Sequence, residues 1–412
     1  MISKQAIKQR LSDFIVILRG NAGIIMLTWF IFSLGSALSQ PFFSLYVKEL
    51  GGTDVEIGVI RSAGAMAGLA LILPGGYITD RYGRRKIIIV MTWAIAVIFL
   101  FYAFVQDWRQ LLILVAMDEA LHFYQPALIA IMTDSMPPGY RGRGWALSNI
   151  VSNLPWLFMP IFGGYLIDIF GIVGFRIGFL IQALMSFIAA GIRTVFLKET
   201  IKVESKQEFS LSEMLKSYAE TIGKLSHSVK VIIVERAVLG TIGTTAMNLY
   251  AVVYATEMLG ISKVDWGLAS SLGTLTSLLT TIISLEFIDR IKNRNKVISA
   301  ALLLNALGII SLISLKGTIA AVAFFILTSI TSSFVWPSIN ALLGDLTPRE
   351  LRGKRVAVGN LLNRISITIL APIIGFFYMV SPNLAFIIAI LFTLIRATIY
   401  LLFVHEPKKR EM

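Results

Sequence analysis

Twelve apolar stretches recur along the 412-residue chain, separated by short charged segments. About twenty apolar residues is the length an α-helix needs to cross the hydrocarbon core of a bilayer. Backbone in hydrocarbon must satisfy its own N–H and C=O groups, which only helices and closed barrels do. A barrel would show weak alternating segments of about ten residues, and this sequence does not. The spacing predicts an all-α polytopic membrane protein with twelve transmembrane helices. They fall near 24–47, 59–78, 87–105, 111–133, 145–167, 173–195, 233–257, 266–288, 297–315, 319–343, 356–380 and 384–404. With 56% hydrophobic and 15% charged residues, the chain falls far short of the roughly 25% charge that covers a soluble domain.

The positions of the charges set the topology. Of 37 Lys and Arg, 28 fall on segments that share one side, 5 on the loops of the other side, and 4 (Arg61, Arg236, Arg364, Arg396) within spans. The positive-inside rule then places both termini in the cytoplasm of a cell-membrane protein. The net charge of +13 is a topology signal, and the partner is the lipid bilayer rather than nucleic acid. There is no cysteine, so disulfides and thiolate metal sites are excluded; no metal or cofactor is expected. Residues 1–20 read as an amphipathic N-terminal segment rather than a signal peptide, and 406–412 as a cytoplasmic tail.

The chain also repeats itself. Pro126-Ala-Leu-Ile-Ala-Ile-Met-Thr-Asp134, followed by Arg141-Gly142-Arg143, returns as Pro337-Ser-Ile-Asn-Ala-Leu-Leu-Gly-Asp345, followed by Arg352-Gly353-Lys354. The offset is 211 throughout and carries Asn149 onto Asn360. Pro160-Ile-Phe-Gly163 meets Pro372-Ile-Ile-Gly375 one residue later in register, and Glu56-Ile-Gly58 meets Asp265-Trp-Gly267 at an offset of 209. Two six-helix halves follow, 21–197 and 231–405, joined by a charged, partly helical cytoplasmic linker at 198–230. Parallel halves of this kind are a transporter plan with the substrate site at the midplane between them.

Gly76-Tyr-Ile-Thr-Asp80-Arg81-Tyr-Gly83-Arg84-Arg85-Lys86 resembles the loop signature of the major facilitator superfamily between the second and third helices, with every position filled. Its second-half echo, Asp289-Arg290-Ile-Lys-Asn-Arg294-Asn-Lys296, lacks both glycines. The resemblance covers the whole chain and implies two six-helix bundles that alternate access. It also implies a conformational latch built from Gly76, Asp80, Arg81, Gly83 and Arg84, with Asp134 and Arg141 as partners. Met159-Pro160-Ile-Phe-Gly163-Gly164 is similar to the tail of the G-P-x-x-G-G motif of drug/proton antiporters, with Met159 in place of the first glycine. The same residues also read as a proline kink flanked by small residues for close packing.

Ionisable residues inside a bilayer are costly and mark function. The fourth span holds Asp118, Glu119 and His122, expected to carry protons; Asp118 and His122 share a face at i,i+4, while Glu119 points about 100° away from Asp118. Arg364, with Asn360 one turn before it, lies in the eleventh span, and Asn149 and Asn153 hold the equivalent positions in the fifth. These four, with the lone amides Gln40, Gln125 and Asn248, are the expected lining of a substrate cavity. Arg61, Glu235, Arg236 and Arg396 have no role legible in the sequence.

No phosphate loop or catalytic constellation is present, so an enzyme is not expected. The reading is a monomeric secondary active transporter of a small molecule with protons as the coupling ion. Proton-coupled efflux of amphipathic compounds leads, and uptake of a polar or anionic metabolite is the alternative. A transport-dead receptor or scaffold is the reading from another class. Topology is directly testable because the chain lacks cysteine. Ser262→Cys should react with an impermeant maleimide in intact cells and Ser205→Cys only after permeabilisation; the reverse pattern would invert the orientation.

Overall fold

A computed structural model describes residues 18–201, 210–288 and 291–406. Expectations that fall on residues 1–17 and 407–412, and on the surroundings of Gly76 and Asp80, lie outside the described residues. No strand occurs among those described. Twelve long helical segments succeed one another: α1 Gly20–Glu49, α2 Asp54–Tyr82, α3 Arg84–Tyr102, α4 Trp108–Asp134, α5 Pro138–Phe170 and α6 Ile172–Phe196, then α7 His227–Glu257, α8 Lys263–Ile288, α9 Arg294–Ser314, α10 Gly317–Leu346, α11 Arg349–Val380 and α12 Pro382–Leu402. Eleven are long and apolar enough to cross a membrane, and α2 takes the remaining place at 29 residues. Between the halves, Leu211–Lys224 is a helix whose first turn is capped by the Ser210 hydroxyl, which accepts from the Glu213 N–H at 3.3 Å.

Several spans are broken where the sequence removes a backbone donor. A 3-10 turn interrupts α1 at Gln40–Phe42 around Pro41, α4 at His122–Tyr124 just before Pro126, and α5 at Leu154–Leu157 around Pro155. Two π-helical turns, Glu235–Leu239 and Ala246–Tyr250, widen α7. Single inserted residues of this kind favour functional sites. Gly83 joins α2 to α3 at φ +88°, a conformation that glycine adopts without a Cβ penalty.

The packing pairs are themselves repeated. In the first bundle α1 and α3 pack on α6, and α2 on α4; in the second, α7 and α9 pack on α12, and α8 on α10. The bundles join through α2 against α11 and α5 against α8. Both seams use the residues that carry the repeat. A methyl group on Gly58 would overlap the Ala371 carbonyl beside Pro372, and one on Gly267 would overlap the Pro160 carbonyl. Gly375 meets the Asp54 carbonyl and Gly164 that of Lys263 in the same way. The Glu56-Ile-Gly58 and Asp265-Trp-Gly267 segments thus each pack against the Pro-x-x-Gly segment of the opposite half. Absent side chains let the helix backbones touch, which is how helices associate where lipid offers no hydrophobic drive.

Polar contacts reinforce the seams at this end. Lys48 pairs with Asp54 and, across the halves, with Glu257, both at 2.9 Å. The Tyr250 hydroxyl donates to the Asp54 carbonyl at 2.9 Å. Asp168 of α5 accepts from the Lys263 and Val264 N–H groups at 3.2 and 3.0 Å, capping α8 from the other half. A carboxylate at a helix N-terminus is favoured by the unpaired N–H groups there.

At the opposite, basic end the two halves carry equivalent clusters. Arg84 pairs with Asp134 at 2.9 Å, and Arg294 with Asp345 at 2.7 Å. Glu199 accepts from the Arg85 N–H at 2.8 Å, and Glu406 from the Arg294 N–H at 2.6 Å. Of the degenerate second-half signature, Arg294 by itself makes the contacts that Arg84 and Arg85 share in the first half. Because the seam leaves no room at Gly267, Gly267→Val should overpack it by about 1–3 kcal/mol. The closed arrangement should then lose roughly 5- to 150-fold in population. Faster labelling of a Ser44→Cys reporter from the end that carries the Lys48–Glu257 pair, with transport lost, is the expected result.

Candidate transport site

Glu119 sits near the middle of α4, eleven residues or about 16 Å from its start, immediately before the 3-10 break. Its two carboxylate oxygens face different halves of the molecule. One lies 3.0 Å from Nη1 of Arg61 on α2, the other 3.3 Å from Nη1 of Arg364 on α11. Arg364 thus reaches from the second bundle to a carboxylate of the first. Three cavities meet at this residue. The largest, about 540 Å³, is lined by Phe43, Trp156, Trp266, Phe324 and Phe325 on its apolar side and by Gln40, Asn248, Asp118 and Glu119 on its polar side. A second of about 320 Å³ holds Arg61, Arg364, Asn360 and Asn363; a third of about 390 Å³ holds Asp118, His122, Gln125 and Arg364.

His122 opens the 3-10 break and lies over Asp118, one turn back on the same face. Its Nδ1 lies 2.7 Å from the Asp118 carbonyl and 3.3 Å from the Asp118 carboxylate. The imidazole stacks on Tyr124 at 6.0 Å. Asp118 and His122 therefore form one pair on a single helix, while Glu119 bridges two. The sequence ranked Glu119 last of the three because it diverges from Asp118. That divergence is what points it at Arg61 and Arg364.

The other expected cavity residues divide. Gln40, Gln125, Asn248, Asn360 and Arg364 line the cavities, and Asn363 donates to Thr241 at 2.9 Å. Asn149 and Asn153 line none of the three. They are exposed, and Asn153 donates to the Asn149 carbonyl at 2.7 Å, because an i,i+4 amide on a helix can satisfy itself locally.

Four further ionisable groups are settled by packing. Arg396 forms an ion pair with Glu235, which also accepts from Tyr400 at 3.0 Å. Glu235 is 2% exposed and does not cap the bundle end. Arg236, its neighbour, stacks over Trp336 at 4.3 Å. Arg193 counted with the cytoplasmic linker by sequence, but it is buried in α6 and donates to Thr28, Thr92 and Tyr124 at 3.1, 2.9 and 3.4 Å.

The chain matches the family described as Major Facilitator Superfamily over residues 25–232 and 236–411. The chain belongs to the major facilitator superfamily. An MFS-type transporter of Methanocaldococcus jannaschii is 26% identical over 66% of this chain and 68% of that protein. The multidrug resistance protein MdtG of Salmonella typhi is 25% identical over 83% of this chain and 85% of MdtG. Among solved structures, the D323A mutant of the nucleoside transporter NupG superposes with a TM-score of 0.75 at 13% identity, over 94% of this chain and all of that one. At that identity it shows the fold alone.

Of the superfamily's loop signature, Arg84 meets Asp134 and Gly83 makes the turn, whereas Arg81 lies over the Tyr82 ring at 5.6 Å. Arg141 is exposed and has no ion-pair partner among the described residues. Missed in the sequence were Arg61 as the second partner of Glu119, Glu235 as the partner of Arg396, and Trp266, Phe324 and Phe325 as cavity wall. Arg61 stands three residues before Gly64-Ala-Met-Ala-Gly68, and that small-residue spacing was the available signal. The Glu235–Arg396 pair leads to a stability test. Removing one partner of a buried pair costs about 3–5 kcal/mol, so Glu235→Gln should lower the unfolding midpoint in detergent without altering the pH dependence of transport.

Proposed function

We propose that this transporter exchanges protons for amphipathic small molecules, exporting them from the cytoplasm, with its basic end on the cytoplasmic side. The observation that carries the reading is the bridge Arg61–Glu119–Arg364, which joins the two halves inside the substrate cavity. While Glu119 is charged, Arg364 ties α11 to α4, and rocking the halves apart would strand charges in a desolvated site, which is costly. A proton on Glu119 removes the attraction. A substrate that inserts polar groups between Glu119 and Arg364 removes it too. Either key releases the lock, and an empty, deprotonated carrier stays put, which is the requirement for exchange. The aromatic wall opposite suits the apolar body of such a substrate, and the multidrug resistance name of the Salmonella relative supports export. In this reading Asp118 and His122 tune the charge beside Glu119, and Arg84 with Asp134 belongs to the latch.

One observation favours the alternative, uptake of a polar or anionic metabolite together with protons. Two arginines share a single carboxylate, and Asn360 and Asn363 add amide donors in the same chamber. An anion there would bind better once Glu119 is protonated, so anion and proton would move together. Proteoliposomes distinguish the two. Exchange accumulates substrate in vesicles with an acidic interior, and cotransport does so when the exterior is acidic.

Glu119→Gln keeps the shape and removes the titration. Gradient-driven accumulation should fall on the order of tenfold or more, while downhill substrate exchange persists. A Glu119→Gln protein that still concentrates substrate against its gradient would remove Glu119 from the coupling.

A further inference from the structure

Arg61, Gly64 and Gly68 lie three, four and seven residues apart on α2, so they share one helix face. That face is turned toward the ion bridge. A methyl group on Gly64 would lie 3.1 Å from Cγ of Glu119. One on Gly68 would overlap Nη1 of Arg364 and come within 2.9 Å of its Cζ and 3.3 Å of the Glu119 carbonyl. Small residues four apart on a membrane helix usually admit the backbone of a second helix, as Gly58 admits that of α11 at the seam. At Gly68 the nearest group is instead the head of a charged side chain from the other half of the molecule.

We propose that Gly68 is a positioning residue: the notch at Gly64 and Gly68 seats the Arg364 guanidinium against α2 so that it reaches Glu119. The inference rests on the reading of Glu119 as the coupling carboxylate and adds what holds its inter-half partner in place. The notch belongs to one half and the arginine to the other. The seat therefore exists only while α2 and α11 are packed as they are here, and it makes the electrostatic surroundings of Glu119 depend on the conformation. Arg61, also on α2, stays with Glu119 in any rigid-body movement of the halves. The charged and titratable groups facing Glu119 are Arg61 from α2, Asp118 and His122 from α4, Tyr102 from α3 across the largest cavity, and Arg364 from α11. Only Arg364 arrives from the second bundle.

Gly75 provides the control. It lies seven residues beyond Gly68 on the same face, and a methyl there would meet the apolar Phe123 at 2.9 Å, a steric contact without a charge. Purified variants in proteoliposomes would be compared by the pH profile of transport. Gly68→Ala should displace the profile by about one pH unit, the size expected when one of two cations leaves a carboxylate, and bring it onto that of Arg364→Gln. Gly75→Ala should reduce the rate and leave the profile where it was. Adding Arg364→Lys to Gly68→Ala should restore at least half of the shift, because the slimmer ammonium clears the methyl. If Gly68→Ala alone fails to insert, that double variant must recover insertion. A parental profile in Gly68→Ala, an equal shift in Gly75→Ala, or a double variant no better than Gly68→Ala would each overturn the proposal. Glu119→Gln, tested alongside, keeps the two ideas separate: if it leaves coupling intact, the reading of the site fails, and if only Gly68→Ala is silent, the seat fails alone.

Discussion

Hydrocarbon cannot solvate a charge, so every ionisable side chain in these spans has to find its partner inside the protein. The structure meets that demand in three ways. Glu235, Arg396 and Tyr400 close a pair within the second bundle. Arg193 is surrounded by the hydroxyls of Thr28, Thr92 and Tyr124 within the first. Both clusters stay inside one rigid body and leave nothing to change when the bundles move. The third solution, Arg61–Glu119–Arg364, crosses between bundles, so here the cost of an unpaired charge becomes a cost of motion. Coupling an ion to a conformational change needs an interaction of that kind, one that a ligand binds differently in the two states.

The seams are built for such motion. Four glycines bring helix backbones of opposite halves into contact. Smooth surfaces let one bundle tilt on the other without repacking a core, whereas interdigitated side chains would resist. The pseudo-symmetry is closely kept in these contacts and broken in the polar ones around them. The α8 terminus adds Asp168 of the opposite half to its own Ser262 cap, while α2 caps itself with Thr53 and Glu56. The offset that maps Gly163 onto Gly375 puts Val380 where Asp168 would recur. One seam is therefore held by a carboxylate, and the other by the Tyr250 hydroxyl on a backbone carbonyl.

The polar residues of the candidate site gather where the helices are least regular. The break at His122–Tyr124 begins at the partner of Asp118, and the widened turn at Ala246–Tyr250 surrounds Asn248 on the cavity wall. Proline and polar residues beside the His122–Tyr124 break lower its cost and place exposed backbone next to a cavity, where water can satisfy it.

The number and length of the spans and the two-fold repeat were legible in the sequence, because membrane thickness and backbone satisfaction act locally and leave periodic traces. Asp118, Glu119, His122 and Arg364 stood out for the same reason: charge in an apolar run is visible without knowing its neighbours. Their pairing was not visible. Glu119 and Arg364 are 245 residues apart and Glu235 and Arg396 161, and nothing local to either says which face meets which. Glu119 diverges from Asp118, and α2 and α11 supply its partners. Likewise Asn149 and Asn153 match Asn360 and Arg364 in register, yet an amide can bond back to its own helix where a guanidinium must look elsewhere. Which charges are solved within a helix, within a bundle or between bundles is decided by how faces meet in three dimensions, and one-dimensional spacing carries no record of that.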